Sequence, residues 1–256
     1  MKKIVIIGAN DFQNQLILKA KEMGFETHVF AWQDGSIGEK TADYFYPISI
    51  VETDAILEKC REIQPDAVTT IASDLANITV SKVAAGLGLP GNTPECIEIS
   101  TNKYAMRSAF KKAGLPTPAF YKVDHVTDEL YQMQLPIIVK PTDRSGSRAI
   151  TKITDFKDLP EAVRQAVEQS FEKKAIVEEY IEGNEYSYET ISYRGKHTNL
   201  AVTKKYTTGA PHFIETGHCE PSDLSEEMLQ KVQKTMYAAL DALQITDGAS
   251  HGEFKI

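Results

Sequence analysis

Residues 135–148 read LPIIVKPTDRSGSR, an apolar strand that ends in Lys140 and runs into a loop rich in serine, glycine and arginine. A rigid strand can carry the Lys140 ammonium while its aliphatic stem lies against apolar neighbours. The loop offers hydroxyl groups, backbone N–H donors and two guanidiniums, and a loop of this kind can close over phosphates. An ordinary surface hairpin has the same pattern, so this stretch by itself leaves both interpretations open.

A second informative stretch, AIVEEYIEGNE at residues 175–185, is an apolar strand that turns acidic. Backbone groups at its end can pair with the edge of an adenine, and a carboxylate can accept hydrogen bonds from ribose hydroxyls. Carboxylates are poor partners for a triphosphate, so we expect them at the base and sugar end of a nucleotide. A solvated acidic hairpin is the alternative interpretation.

The end of the sequence, GASHGEFKI at residues 248–256, predicts an extended strand with His251, Glu253 and Lys255 on one face. Magnesium takes oxygen ligands, so Glu253 is the natural metal ligand on this strand and His251 is not. One carboxylate does not complete such a site, which also needs other carboxylates, waters or phosphate oxygens.

The first 94 residues alternate between short apolar runs and segments with helical periodicity, which predicts a parallel sheet covered by helices on both faces. Gly8 ends the first strand and opens onto a helix, whose N-terminus can hold a small anion, while a tight turn that only connects strand and helix fits the same residues. The second and third glycines of the dinucleotide fingerprint are missing, which argues against an NAD site. The predicted strands are residues 3–8, 27–31 and 67–71, and the predicted helices are residues 12–23, 55–63 and 78–87.

The remaining residues change to an α+β pattern. Residues 95–113 predict one helix, which the glycine and prolines of residues 114–118 terminate. The later predicted strands are residues 137–140, 149–153, 175–180, 186–193 and 251–256, and the later predicted helices are residues 159–171 and 228–243.

Composition narrows the function classes. The formal net charge of −8 over 256 residues gives no electrostatic reason to approach a nucleic acid or an anionic membrane. No stretch approaches the roughly 18 apolar residues of a membrane span, and the apolar run at residues 4–7 is too short for a secretory signal. We therefore expect a cytoplasmic protein without a nucleic-acid or membrane partner. Cys60, Cys96 and Cys219 are too few and too far apart to staple the chain, and we expect reduced thiols.

These segments, in this order, resemble the ATP-grasp superfamily of carboxylate–amine ligases. The resemblance covers essentially the whole chain and rests on NKYAMR at residues 102–107, IVKP at residues 138–141, the acidic stretch and the tail. The tail looks most like the amino-acid ligases that make dipeptides, and also like relatives of carbamoyl-phosphate synthetase. FIETGH at residues 213–218 is similar to a segment of those ligases in which the histidine faces the acyl phosphate and substrate.

The resemblance implies ATP and Mg²⁺ as cofactors and assigns roles to particular residues. Glu253 is the implied metal ligand, and His218 and Arg148 are the implied catalytic residues. The implied nucleotide-binding residues are Lys103, Lys140, Ser145, Gly146, Ser147, Glu178, Glu179, Ile181 and Glu185.

The implied fold is an α/β chain in which a Rossmann-like pre-ATP-grasp domain is followed by an α+β ATP-grasp domain. We expect the first domain at residues 1–94, a connecting helix and linker at residues 95–120, a lid subdomain at residues 121–190 and the start of the C-terminal lobe at residues 191–256. The family places a second acidic metal ligand, an asparagine and an arginine after the position of Glu253. We therefore expect an ATP-grasp domain that is incomplete, or truncated, at the C-terminus of this sequence.

The implied activity is an ATP-dependent ligase that activates a carboxylate as an acyl phosphate and joins it to an amine. The expected partners are small-molecule carboxylate and amine substrates, with an amino acid as the expected carboxylate and a homodimer left open. A nucleotide-binding fragment or subunit with no activity of its own is the first alternative, and it would bind ATP without turnover. A pure interaction protein, with no nucleotide affinity, is the second.

Overall fold

The computed structural model describes residues 1–144, 146, 148–210 and 213–256. Over these residues the chain divides into two compact units, Met1–Glu98 and Ile99–Ile256. In chain order, the elements up to the boundary are β1 (Lys3–Ile7), α1 (Asp11–Glu22), β2 (Glu26–Phe30), α2 (Ile37–Thr41), β3 (Tyr44–Tyr46), α3 (Thr53–Ile63), β4 (Ala67–Thr69), α4 (Asp74–Leu87) and α5 (Pro94–Thr101), which crosses it.

The second unit contains more strand than helix. Its elements are α6 (Lys103–Lys112), β5 (Phe120–Val123), β6 (Ile137–Pro141), β7 (Thr151–Ile153), α7 (Leu159–Gln169), β8 (Ala175–Glu179), β9 (Glu185–Tyr193), β10 (Lys196–Thr207), β11 (Glu215–Cys219), α8 (Glu226–Ala242) and β12 (Gly248–Lys255), with short 3₁₀ turns at Asp128–Gln132 and Phe156–Asp158.

The first unit is built on a parallel sheet of strand order β3-β2-β1-β4. On one face Ile6 packs against Ile17 of α1. On the other face Val5 packs with Ile56 of α3 and Val83 of α4. The predicted parallel sheet with helices on both faces is confirmed, while the Rossmann-like designation stays a prediction. The structure adds α2 and β3, which are too short to show a periodicity in the sequence.

The single helix predicted over residues 95–113 is wrong, because the structure has two helices, α5 and α6. Asn102 separates them with an extended backbone, and its side-chain oxygen accepts hydrogen bonds from the N–H groups of Tyr104 and Ala105 at 3.1 Å each. Asparagine favours this position because its side chain replaces the partners that the first helical N–H groups lack. The apolar periodicity continues across the break, so the sequence pattern joined the two helices.

The first sheet of the second unit has strand order β5-β8-β6-β7, and its strand pairs are antiparallel. Its core packs Ile137 and Val139 of β6 against Leu159 and Val163 of α7. The strand predicted from residue 149 starts at Thr151 instead, because Ala149 has a positive φ of 51° that an extended strand does not allow.

The second sheet of this unit has strand order β11-β10-β9-β12, also antiparallel. Helix α8 covers one face, where Val232 packs on Tyr188 and Val202. The sequence did not predict β5, β10 or β11, and the predicted domain boundary at residue 190 falls within β9, which pairs along its length with β10 and β12. Because strand side chains alternate, every second residue of these strands points to the face opposite α8.

Within the residues that the structure describes, no helix is both long enough and apolar enough to cross a bilayer. Cys60, Cys96 and Cys219 are free thiols, as the sequence predicts, and the first two are buried.

Candidate functional site

A buried carboxylate with two cationic partners lies on the first sheet of the second unit. Glu178 on β8 is 1% exposed and forms ion pairs with the ammonium of Lys140 on β6 and with Nε of Arg107 on α6, the latter at 2.5 Å. Strands β6 and β8 are neighbours, with Glu178 opposite Ile138 and Lys140 opposite Ile176, so Lys140 and Glu178 project from the same face. Arg107, Lys140 and Glu178 form the cationic cluster, which has two positive charges for one negative.

The charges of the cationic cluster fix the state of its carboxylate. Burial alone would raise the pKa of Glu178, but the neighbouring charges of Lys140 and Arg107 outweigh it and hold the pKa below its ordinary value. Glu178 is therefore ionised at neutral pH, and the cluster keeps one positive charge in excess. Lys140 remains partly accessible, which suits a second, external anion.

Lys103, the first residue of α6, lies against the loop that follows β6. Its backbone N–H donates to the Thr142 carbonyl at 2.7 Å, and its ammonium donates to the Arg144 carbonyl at 2.5 Å. Asp143 anchors the same loop, because its carboxylate accepts hydrogen bonds from two consecutive N–H groups beyond α7, at 3.0 and 2.7 Å. The structure thus brings Lys103 to the loop that follows Lys140, and both lysines are predicted to bind the nucleotide.

The rest of the predicted phosphate-binding loop is exposed where it is described. Gly146 has a φ of +74°, a conformation that glycine adopts without strain. Arg148, predicted to be catalytic, is exposed at the end of the loop. Ser145 and Ser147, which the sequence assigns to the nucleotide, lie outside the described residues.

The predicted adenine hinge, Glu178 to Ile181, begins in the last two residues of β8 and continues beyond the strand. The N–H of Glu179 is used in a 2.9 Å hydrogen bond to the residue before β5, while its side chain is exposed. Ile181 is 42% exposed. Glu185, at the start of β9, pairs with Lys255 at 3.1 Å. The Lys255 ammonium also lies 4.9 Å from the centre of the Tyr180 ring, so the end of β12 lies beside the hinge.

The second sheet carries a row of charged side chains on the face opposite α8. His251, Glu253 and Lys255 share this face, which confirms the sequence prediction. Lys205 of β10 reaches Glu253 of β12 and Glu215 of β11, forming ion pairs with both, the second at 2.7 Å. Lys205, Glu215 and Glu253 form the acidic cluster, which has two negative charges for one positive.

The charged groups of the acidic cluster and the neighbouring His251 shift one another's pKa values. His251 and Lys205 lower the pKa of Glu253 to about 2, and Glu253 together with Glu189 raises the pKa of His251 to about 9. Burial lowers the pKa of Lys205, but Glu215 and Glu253 outweigh burial and raise it. At neutral pH Glu253 is therefore a carboxylate, and His251 and Lys205 are cations.

The predicted catalytic His218 lies beside the acidic cluster, with its Nε2 atom 3.2 Å from a carboxylate oxygen of Glu215. The predicted residues thus fall into two groups. Lys103, Lys140 and Glu178 gather around the first sheet, and His218 gathers with Glu253 on the second.

Residues 133–256 match the model of the ATP-grasp domain, a range that contains Lys140, Glu178 and the acidic cluster. The structure also superposes on an L-amino acid ligase from Bacillus licheniformis with a TM-score of 0.87 at 26% identity, covering 100% of this chain and 64% of that one. The chain belongs to the ATP-grasp superfamily.

Two curated ligases are similar to about two thirds or more of the chain. The alanine–anticapsin ligase of Bacillus subtilis is 30% identical over 217 residues, which cover 75% of this chain and 45% of the relative. The D-alanine–D-alanine ligase of Flavobacterium johnsoniae is 26% identical over 183 residues, which cover 66% of this chain and 56% of the relative. The chain spans about half the length of these curated relatives.

The donor atoms of the acidic cluster fit the magnesium ion that the ATP-grasp family implies. Glu253 presents an ionised and half-exposed carboxylate, and Glu215 presents a second carboxylate to the same lysine. Carboxylate oxygens are suitable magnesium ligands, and waters and nucleotide phosphates complete such sites. Among the described residues no three acidic, histidine or cysteine side chains converge on one metal position.

The sequence analysis assigned no role to three members of the two clusters, Arg107, Lys205 and Glu215. Arg107 lies 71 residues before its partner Glu178, and no local pattern joins them. Lys205 was missed because β10 was not predicted. The β-branched and aromatic residues of 198–207 were the available signal, and alternation along that strand separates Lys205 from Lys204.

Proposed function

We propose that this ATP-grasp protein is an ATP-dependent ligase that converts a substrate carboxylate into an acyl phosphate and joins it to an amine. The observation that carries the proposal is the cationic cluster, centred on Lys140 and Glu178 inside the residues that match the ATP-grasp domain. A partly buried excess of positive charge attracts a phosphate chain. The acidic cluster of the same unit offers oxygens to the cation that accompanies it.

In this proposal Lys103 and Lys140 bind the ATP phosphates. The hydrogen bond from the Lys103 ammonium to the Arg144 carbonyl ties this lysine to the loop at residues 143–148. The loop and both ammonium groups therefore approach the phosphates together. Ser145, Gly146 and Ser147 add hydroxyl and backbone donors from the same loop.

The carboxylates near the hinge divide into two roles. Glu178 is buried and paired twice, so it acts as a positioning residue that fixes the direction of the Lys140 ammonium. Glu179 and Ile181 are exposed where the base would lie, and Glu185 would accept from the ribose hydroxyls. The exposure of Glu179 and Ile181 supports their assignment, and Glu185 is partly exposed beside Lys255.

The chemistry requires mainly position and charge neutralisation. An oxygen of the substrate carboxylate attacks the γ-phosphorus of ATP, the bond to ADP breaks, and the acyl phosphate forms. The amine then attacks the acyl carbon, the bond between that carbon and the phosphate oxygen breaks, and inorganic phosphate leaves together with the proton that the amine gives up. Magnesium held by Glu253 would neutralise phosphate charge. His218 and Arg148 would face the acyl phosphate and stabilise its anionic oxygens.

An amino acid is the proposed carboxylate substrate. The support is the similarity to the L-amino acid ligase and to the alanine–anticapsin ligase, the names of which refer to amino-acid substrates. Substrate loops differ within a fold, so the identity of the amino acid and of the amine is a matter for assay.

The test is calorimetry of ATP binding with Mg²⁺, followed by a phosphate-release assay over a panel of amino acids given singly and in pairs. We expect binding, and release that depends on both substrates. The Lys140→Met variant should lose most of the affinity, whereas Lys157→Met, an exposed lysine of the same subdomain, should keep it.

ATP binding without substrate-dependent release would replace the ligase with a nucleotide-binding module. Equal affinity in wild-type protein and the Lys140→Met variant would remove the nucleotide site from the cationic cluster. The absence of any ATP affinity in the folded wild-type chain would contradict the proposal altogether.

A further inference from the structure

Two adjacent lysines on β10 point to opposite faces of the second sheet. Lys204 pairs with Asp223 at 2.5 Å and lies on the side that α8 covers. Lys205 points to the other face and contacts both Glu215 and Glu253. The two lysines lie on the same strand and carry the same charge, but their side chains lie on opposite faces of the sheet.

The surroundings of Lys205 are unusual for a lysine. Its side chain is 5% exposed, whereas Glu215 and Glu253 are 49% and 61% exposed. Buried ammonium groups need compensating charge, and here two carboxylates from two different strands supply it. The ammonium nitrogen therefore occupies the point on which both carboxylates converge.

A divalent cation bound by Glu215 and Glu253 would need the same point. One cation cannot enter between the two carboxylates while the ammonium remains there. Without the ammonium, two half-exposed carboxylates from β11 and β12 would face each other, and a hard divalent cation is the ligand that such oxygens prefer.

We propose that Lys205 is a resident counter-ion of the metal position, which holds Glu215 and Glu253 as a preformed pair and keeps a divalent cation out until nucleotide phosphates arrive with it. A cation without nucleotide must break the ion pairs of Lys205 with Glu215 and Glu253, and the two carboxylates are the only protein ligands that it then gains in this cluster. A cation that arrives with a nucleotide keeps its phosphate ligands as well. Cation binding is thereby coupled to nucleotide binding.

This inference rests on the proposed function in one respect, the assignment of Glu253 to the metal. His251, which lies 3.6 Å from Glu253, contributes a further positive charge at that carboxylate but contacts Glu189 and not Glu215. Lys205 is thus the cation that joins the two carboxylates.

The experiment measures Mn²⁺ binding by electron paramagnetic resonance, without nucleotide, in wild-type protein and in Lys205→Met. Methionine is flexible and of similar length, so it can fill the channel of the lysine stem. We expect the variant to bind Mn²⁺ at least about tenfold more tightly than wild-type protein. Lys204→Met is the matched control and should bind as weakly as wild-type protein.

A second pair of variants locates the site. In the Lys205→Met background, Glu215→Gln and Glu253→Gln should each return Mn²⁺ affinity towards the wild-type value. Lys205→Arg, which keeps the positive charge, should stay weak. Unchanged Mn²⁺ binding in Lys205→Met, or an equal gain in Lys204→Met, would overturn the proposal.

Thermal unfolding shows whether each variant is folded, and the change in melting temperature with Mn²⁺ is an independent measure of binding. Mn²⁺ should raise the melting temperature of Lys205→Met more than that of wild-type protein, because a ligand that binds the folded state stabilises it. If Lys205→Met does not fold, the same comparison is made with Lys205→Gln, and no gain there would count against the inference. These measurements omit ATP. A negative Mn²⁺ result would therefore contradict the inference about Lys205 without contradicting ATP binding, and an absence of ATP binding would contradict the proposed function without deciding the role of Lys205.

Discussion

The cationic cluster and the acidic cluster are built from the same kinds of group in opposite proportion. In the first, the buried carboxylate of Glu178 lies between Lys140 and Arg107. In the second, the buried ammonium of Lys205 lies between Glu215 and Glu253. In each, the central group is buried and its two partners are more exposed.

This difference gives each cluster a preference for one kind of ligand. The central ion of each cluster is compensated, and the charge left over is carried by the more accessible partners. One positive charge remains at Lys140 and Arg107, and one negative charge remains at Glu215 and Glu253. A magnesium–nucleotide complex has both an anionic and a cationic part, so one unit of this protein offers a complementary surface to each.

The largest expected effect comes from removing the central ion of the cationic cluster. Glu178→Gln leaves the partly buried Lys140 and Arg107 without their counter-charge and should lower the free energy of unfolding by about 3 kcal/mol at pH 7. Urea denaturation measures it. The control is Glu182→Gln, since Glu182 is exposed and 3.9 Å from its partner, and this change should cost less than about 0.5 kcal/mol.

The loss of stability in Glu178→Gln should also depend on pH. The pKa of Glu178 is lowered in the folded protein, so its ion pairs stabilise the protein above the ordinary value of 4.5 and this stability is lost as the pH falls through the folded pKa. The difference between wild-type protein and Glu178→Gln should stay constant from neutral pH to about pH 5 and shrink below it. A difference that is unchanged at lower pH would contradict the ion-pair explanation.

A smaller effect should follow from Lys103→Met, which removes one ammonium from the proposed phosphate site. We expect ATP affinity to fall by about 1.5 to 3 kcal/mol, because hydrogen bonds to charged groups contribute about this much. AMP affinity, which depends on the base and sugar end, should change little. Titration calorimetry with both nucleotides measures this, with Lys112→Met at the exposed end of the same helix as the control. Equal losses for ATP and AMP would place Lys103 away from the outer phosphates.

On the acidic side, Glu253→Gln should weaken ATP binding in the presence of Mg²⁺ by about tenfold, or about 1.4 kcal/mol. In EDTA the same change should have little effect, because the carboxylate acts through the cation. The two affinities are compared by calorimetry, and a loss of the same size in EDTA would argue against a metal ligand.

The smallest effect concerns the helix cap that places Lys103. Asn102→Ala removes two hydrogen bonds to the start of α6 and should destabilise the protein by about 1 kcal/mol. Asn102→Ser, which keeps an uncharged oxygen acceptor but cannot reach Glu172 as the amide does, should lose less than half of this. Thermal unfolding of the two variants tests the cap, and equal losses would assign the role of Asn102 to its amide donor instead.

Much of the fold follows from local pattern. Short apolar runs separated by helical segments predicted the parallel sheet of the first unit, and the period of two predicted the common face of His251, Glu253 and Lys255. Strand β10 was not predicted because it has few apolar residues. The break at Asn102 was not predicted because the apolar periodicity continues across it.

By itself, the sequence determined which residue types were available for the chemistry and which neighbours along a strand share a face, because alternation and helical periodicity are properties of the backbone over a few residues. Only the tertiary structure decided that Arg107 meets Glu178 and that Lys205 meets both Glu215 and Glu253. Those contacts depend on strand order and register, which are set by the packing of segments far apart in the chain. The sign of charge left over at each cluster is therefore a property of the folded protein.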